Sequence, residues 1–144
     1  MVNLFTYLNL LNEFFSSHFQ INTILVGDKK DITGKGDIMY PLANIEYLDK
    51  MVRGGEDAYR YEIIIADLST DESELTIIND CNSIADDLIN WFEDTSKFEE
   101  LELVSNVTIK PFTDSFGDRV SGITFTITMT GFRKSCINSI PISQ

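Results

Sequence analysis

The sequence predicts one α+β domain, in which two main helices pack on one face of an antiparallel or mixed sheet of about five strands. Its 144 residues are enough for a single domain with its own core. The stretch from Asp71 to Asp94 repeats apolar residues three and four positions apart, which indicates an amphipathic helix. Ile123 to Phe132 alternates apolar residues with threonines, as in a half-buried antiparallel strand. Ala58 to Leu68 has a continuous apolar centre, which is typical of a strand covered on both faces.

The helix predicted from Asp71 to Asp94 has a broad apolar face. Two residue pairs at its start have the spacing of a capping box, Ser69 with Glu72 and Asp71 with Glu74. Because so wide an apolar face must be buried, we expect the helix to lie on a sheet formed by the strands on either side of it. The main stripe consists of Ile78, Cys81, Ala85, Leu88 and Phe92.

The remaining segments complete the predicted order of helix, three strands, helix and two strands. Asn3 to Phe19 is predicted to form the first helix, and the only histidine, His18, is expected near its end as a surface or C-terminal helix residue without a functional role. Pro41 has no amide donor, so it suits an edge strand or the beginning of a strand. The other predicted segments are strands at 24–26, 38–48 and 102–112 and loops at 27–37, 49–57 and 113–119. Residues 1–132 are therefore expected to form the domain, and residues 133–144 a C-terminal arm.

The charge and the cysteines exclude several classes of protein. The formal net charge is −12, from 23 acidic and 11 basic residues, which argues against broad binding to nucleic-acid backbones or to anionic membranes. No apolar run is long enough to span a bilayer, and the apolar N-terminal stretch fits a buried helix better than a signal peptide. Two cysteines, Cys81 and Cys136, do not make a disulfide framework, and Cys81 is expected to be buried. These features fit synthesis in a reducing, intracellular compartment.

No motif for catalysis, metal binding or cofactor binding is complete in this sequence. A phosphate-binding loop at Gly34-Lys35 would need glycine at position 29 and Ser or Thr at position 36, but these are Lys29 and Gly36. One histidine and two separated cysteines do not form a zinc site, and no GxSxG motif is present. We therefore predict no catalytic residues, no metal and no cofactor, and expect a protein that is not an enzyme.

Two stretches resemble a known family. They are Tyr40–Ile45 (YPLANI) and Lys110–Asp118 (KPFTDSFGD), and the second is followed by Val120–Gly122 and the threonine-rich strand. Together with the order of helices and strands, they make the chain similar, from about Phe14 to Phe132, to the tail-terminator or tail-completion proteins of tailed bacteriophages. The likeness is greatest to versions from phages of Bacteroidetes hosts, and neck ring proteins of crAss-like phages are also similar.

The resemblance implies a structural virion protein and carries no catalytic residues. Such a protein would form a homo-oligomeric ring at the neck, between head and tail, or at the end of the tail, where it completes or connects the tail. Its expected partners are portal, neck or tail proteins of the same virion, with no membrane involved. It would be made in the cytoplasm of the bacterial host and located in the virion.

Two groups of residues are candidate contact sites in such a ring. The predicted loops at 27–37 and 49–57 combine mobility with charge, and the arm carries apolar residues without a strand partner of its own. The two loops and the arm are therefore expected at subunit interfaces. The interface candidates are Lys29, Lys30, Lys35, Arg53, Ile137, Ile140 and Ile142. Genomic DNA is expected to pass through without specific binding, because an acidic lumen repels it over about 8 Å at physiological salt. The candidates for the lumen are Glu99, Glu100 and Glu102.

Two other interpretations remain open. An acidic inhibitor that mimics DNA and occupies the basic cleft of an enzyme would fit the net charge of −12. The wide apolar stripes and the lysines in the loops do not favour it. An enzyme of unrecognised type would require a deep pocket with titratable groups of perturbed pKa. A ring protein should instead form a closed oligomer, whereas a DNA mimic should be a monomer or dimer whose binding depends on salt.

Overall fold

The computed structural model describes residues 3–28, 38–70, 73–94, 101–103, 107–115 and 120–132. Within these ranges two helices and six strands form a single α+β domain, as the sequence predicts. Neither helix is long and apolar enough in its described part to cross a membrane. The elements are α1 (Leu4–Ser17), β1 (Thr23–Val26), β2 (Leu42–Arg53), β3 (Glu56–Leu68), α2 (Glu74–Glu93), β4 (Leu101–Leu103), β5 (Lys110–Ser115) and β6 (Val120–Phe132).

The strands form one mixed sheet in the order β1-β2-β3-β6-β4, with β5 also paired to β6. Only β1 runs parallel to its neighbour β2, and the other pairs are antiparallel. Because β3 occupies one side of β6, β4 and β5 share the other side. There β5 lies opposite the first part of β6, from Val120 to Thr124, and β4 lies opposite Met129 to Gly131.

The main core lies between the helices and one face of this sheet. Successive side chains of a strand point to opposite faces, so alternate residues of β3 and β6 share a face. Those that join residues of both helices in one hydrophobic cluster are Tyr59, Tyr61, Ile63, Ile65, Ile123, Phe125, Ile127 and Met129. A smaller cluster on the other face includes Leu42, Ile64, Ala66 and Val120. Burial on both faces explains the continuous apolar centre of β3 and confirms the interpretation of that segment.

Each helix has a defined N-cap residue, and that of α2 differs from the two expected from the sequence. Asn3 caps α1 in a reciprocal capping box with Thr6, which satisfies amides at the first turn. The N-cap of α2 is Ser73, so the boxes predicted on Ser69 and Asp71 are wrong. The hydroxyl of Ser69 is instead 2.7 Å from that of Ser121 in a buried hydrogen bond. Ser73 accepts a hydrogen bond from the amide of Thr70, which leaves its hydroxyl in a turn before the helix.

Several predicted strand and loop boundaries are wrong. The loop predicted at 49–57 is part of a hairpin, because β2 continues to Arg53 and β3 begins at Glu56. Gly55, at φ 90°, allows the two-residue turn between them. The single strand predicted at 102–112 is two strands, β4 and β5. Val107 and Ile109, whose alternation indicated a strand, instead lie outside the sheet and pack against the core. Pro41 immediately precedes β2, which has strands on both sides at its start.

Gly122 should be essential for the close approach of β6 to β3. A Cβ at this position would lie 2.0 Å from the carbonyl oxygen of Ile65, which is backbone and cannot rotate away. We expect Gly122→Ala to lower the free energy of unfolding by about 3 kcal/mol, the upper end of the usual cost of overpacking. Gly54→Ala is the matched control, because a Cβ there meets nothing within 4 Å. Urea unfolding of both variants checks this, and equal stabilities would contradict the packing described here.

Candidate interaction surfaces

One edge of the sheet is only partly covered. β1 pairs with β2 from Leu42 to Ile45 and no further. On that side of residues 47–53, which we call the open β2 edge, no strand of the described residues is paired. At about 3.4 Å per residue the edge is roughly 24 Å long. Its exposed apolar side chains are Tyr47 (37% exposed), Leu48 (36%), Met51 (47%) and Val52 (53%). A strand edge that exposes apolar side chains and has no neighbouring strand is a template for pairing with another chain.

Cross-strand contacts hold the β2–β3 hairpin in a fixed shape. Arg60 donates two hydrogen bonds to the carboxylate of Asp49, one of them at 2.6 Å from Nε, and this lowers the pKa of Asp49. On the other face, Lys50 Nζ lies 3.6 Å from a carboxylate oxygen of Asp57 and 5.3 Å from the ring centre of Tyr59. Because both faces are braced, the open β2 edge is organised before any partner binds, which lowers the entropic cost of pairing.

A cluster of tyrosines joins this hairpin to the start of α1. The rings of Tyr7 and Tyr59 are tilted relative to each other, with centres 5.2 Å apart. The rings of Tyr47 and Tyr61 are also tilted, with centres 5.6 Å apart. The hydroxyl of Tyr61 donates to the carbonyl of Leu4 at 2.8 Å. Burial raises the pKa of both Tyr7 and Tyr61 well above the ordinary value for tyrosine, so both stay neutral. The first turn of α1 is therefore anchored on the sheet next to the open β2 edge.

A second surface is a groove between the last turns of α1 and α2. It has a volume of about 260 Å³ and is lined by Glu13, Phe14, Ser17, His18 and Trp91. Phe14 and Trp91 form its aromatic wall, with ring centres 5.5 Å apart. The volume is below the roughly 300–1,000 Å³ of pockets that enclose small molecules. We call it the aromatic groove, and its size suits one or two side chains of another polypeptide segment.

Of the two positions expected for His18, the surface or the helix C-terminus, the structure shows the second. His18 is the C-cap of α1, and its side chain is only 8% exposed. Its Nδ1 accepts the amide hydrogen of Gln20 at 3.3 Å, and its Nε2 lies 3.0 Å from a carboxylate oxygen of Asp87 on α2. Because Nδ1 accepts a hydrogen bond, Nε2 is the ring nitrogen that donates, and its acceptor is Asp87. This link between the helices fixes one wall of the aromatic groove.

The described helices carry acidic residues and no Lys or Arg. The carboxylate on α1 is Glu13. The five on α2 are Glu74, Asp80, Asp86, Asp87 and Glu93, so the two helices carry six in total. Salt screens exposed charges beyond about 8 Å, so only cations close to this layer are attracted to it. The helical layer is thus suited to contact with a basic segment and unsuited to contact with a nucleic-acid backbone.

The residues selected from the sequence as contact sites are not brought together by the described structure. Arg53 ends β2 and Glu102 is the middle residue of β4, and of each only the backbone is described. The other candidates lie outside the described residues: Lys29, Lys30, Lys35, Glu99, Glu100, Ile137, Ile140 and Ile142. The open β2 edge is not evident from the sequence because Met51 and Val52 lie in a predicted loop. The aromatic groove is not evident either, because Phe14 and Trp91 are far apart in the chain.

The described residues do not include a cluster of three or more His, Cys, Asp or Glu side chains that could hold a metal ion. Cys81 is buried in the core on α2, as predicted, and burial raises the pKa of its thiol to about 12. The thiol is therefore protonated at neutral pH and is a poor nucleophile.

The two buried tyrosine hydroxyls should contribute differently to stability. Tyr61→Phe removes the hydrogen bond to Leu4 and leaves that carbonyl without this donor, so we expect a loss of about 1 kcal/mol in the free energy of unfolding. The hydroxyl of Tyr7 is buried with no hydrogen-bond partner among the described residues, so Tyr7→Phe should be neutral or slightly stabilising. Thermal unfolding of both variants measures the difference. A larger loss for Tyr7→Phe than for Tyr61→Phe would contradict this geometry.

The chain was also compared with known proteins. Neither models of protein families nor curated protein sequences gave a match. The features that bear on function are therefore the two surfaces, the charge of the helical layer and the sequence resemblance.

Proposed function

We propose that this chain is a structural virion protein that assembles into a homo-oligomeric ring at the neck or the tail end of a tailed bacteriophage. The observation that carries the proposal is the open β2 edge, which has no strand of the described residues beside it and presents four exposed apolar side chains. The edge carries two of the features by which natural proteins protect such edges, a bulge at Leu48 and the charges of Asp49 and Lys50, but its apolar side chains remain exposed. Pairing with another subunit would bury them. The resemblance to tail-terminator and neck ring proteins supports the same role.

The two edges of the sheet differ, and this favours a ring over a simple dimer. The open β2 edge lies at one side of the sheet, and the outer edge of β4 and β5 lies at the other. If the open β2 edge pairs with the β4–β5 edge of the next copy, each subunit uses two different surfaces. Such head-to-tail contacts generate a closed ring when the rotation between subunits closes. Portal, neck or tail proteins would then bind the two faces of that ring.

The charge of the chain suits a ring through which DNA passes. A basic lumen would hold DNA by releasing counterions, whereas carboxylates close to the channel repel it. Glu99, Glu100 and Glu102 remain the lumen candidates, and the six carboxylates of the helical layer add a second acidic surface. Only carboxylates within about 8 Å of the DNA contribute at physiological salt. Under this proposal the subunit needs no catalytic residue, because its function is to join other parts of the particle.

Charged substitutions on the open β2 edge should prevent assembly without unfolding the subunit. Val52→Lys and Met51→Lys each put a cation among exposed apolar side chains, at positions 53% and 47% exposed. A charge at a strand edge disfavours edge pairing, so we expect the oligomer dissociation constant to rise by at least about tenfold, or 1.4 kcal/mol. Native mass spectrometry over a concentration series measures this. Leu75→Lys is the matched control, since Leu75 is 81% exposed on α2 and away from the sheet edge.

The results separate three outcomes. Loss of the oligomer in both edge variants, with the Leu75→Lys protein assembled as before, is the expected result. A normal oligomer in both edge variants would mean that the open β2 edge is not the subunit contact. A wild-type chain that is monomeric at every concentration would contradict the ring.

A DNA-mimic inhibitor is the second candidate, and the acidic helical layer is the observation that favours it. Such a protein would act as a monomer or dimer and would bind a basic enzyme with an affinity that falls steeply with salt. The same mass measurement therefore discriminates between the candidates. The exposed apolar residues of the open β2 edge favour the ring, because electrostatic mimicry does not use them.

A further inference from the structure

We propose that the aromatic groove binds the segment 133–144 of a second copy of this chain. The inference rests on the proposed function for the presence of a neighbouring subunit. It adds the acceptor site, which the ring proposal does not specify. The segment is expected to place its basic residues against the groove and its apolar residues along the adjoining helices.

The groove has the chemistry of a site for a cationic side chain with an aliphatic stem. Trp91 and Phe14 offer aromatic faces, and Trp is the strongest aromatic partner for a cation. Glu13 lines the groove, and Asp87 lies at its margin, where it holds His18. An Arg or Lys side chain can pack its methylene groups on the rings while its charged end reaches these carboxylates.

A further feature of the surface also indicates that the groove is a contact site. Phe19 stacks on the ring of His18 with nearly parallel planes and centres 5.5 Å apart, yet it is 89% exposed. The aromatic wall thus continues outside the groove as an exposed apolar surface. A partner that covered Phe19 as well as Trp91 would bury apolar area that water now contacts.

The segment 133–144 is the complement of this surface. It begins with Arg133 and Lys134, contains no acidic residue, and continues with Ile137, Ile140 and Ile142. The lysine-rich segment 29–37 is a weaker match, because its three lysines are offset by Asp31 and Asp37. No Lys or Arg on α1 or α2 can satisfy the groove from within the helical layer. Charge complementarity therefore favours 133–144 over 29–37 as the occupant.

The starting point of the segment allows it to reach a neighbour. β6 ends at Phe132, opposite Glu56 at the hairpin end of β3, so the segment starts from this end of the sheet. Twelve extended residues span at most roughly 40 Å. In a ring the neighbouring subunit is held within such a distance, so the tethered segment has a high effective concentration at the groove.

Trp91 provides the readout, because it is the only tryptophan in the chain. The first measurement is acrylamide quenching of Trp91 fluorescence in the full chain and in a chain truncated after Phe132. In the assembled full chain we expect a quenching constant about threefold lower than in the truncated chain. On dilution below the dissociation constant of the oligomer, the full chain should approach the truncated value.

A peptide titration tests the occupant and the groove separately. A peptide of residues 133–144 added to the truncated chain should restore protection of Trp91, and the same peptide with R133E and K134E should not. Glu13→Lys in the truncated chain should raise the peptide Kd at least tenfold. Asp80→Lys is the matched control, with the same charge change at an exposed position eleven residues before Trp91 on α2.

Each other outcome overturns the inference or the ring, and the two can be distinguished. An oligomer that persists while Trp91 is quenched equally in both chains would overturn the inference alone. Protection of Trp91 that stays constant on dilution to monomers would assign the groove to the segment of the same chain and would also overturn it. A monomeric mass at all concentrations would overturn the ring, and the peptide titration would still measure whether the groove accepts the segment.

Discussion

The pairing of β3 with β6 is the constraint on which the rest of the structure depends. These are the longest strands, and they pair from Glu56 opposite Phe132 to Leu68 opposite Val120. Their alternate residues form the floor of the main core, on which residues of both helices pack. The close approach of the two backbones at Gly122 fixes their register. The other strands extend the sheet on both sides of this pair, β2 and β1 beside β3 and β4 and β5 beside β6, so the position of both sheet edges follows from it.

The sequence predicts the elements whose signal is local. The threonine alternation of β6, the apolar centre of β3 and the stripe of α2 each follow from periodicity alone, and all three are confirmed. The hairpin was missed because Gly54 and Gly55, surrounded by charged residues, resemble a loop. The contacts that make it a hairpin, such as Arg60 with Asp49, join residues that periodicity does not pair. His18 shows the same limit, since its partner Asp87 lies 69 positions along the chain.

The candidate surfaces result from what the fold leaves uncovered. β1 is only four residues long, so it protects the start of β2 and leaves the remainder exposed at the edge. The two helices meet at His18 and Asp87, which leaves a gap beside Trp91 where the aromatic groove forms. Neither surface is visible in the sequence, because each depends on where an element ends relative to a distant neighbour. The braced hairpin and the anchored α1 then keep both surfaces in a fixed shape.

The central claim is that the open β2 edge pairs with another subunit through its backbone. Hydrogen–deuterium exchange of the amides in residues 47–53, compared between monomer and assembly, tests it most directly. Amides that do not bond to β3 should exchange freely in the monomer and at least about tenfold more slowly in the assembly, because a new ladder of hydrogen bonds protects them. Equal exchange rates in the two states, with protection appearing elsewhere in the chain, would contradict the account.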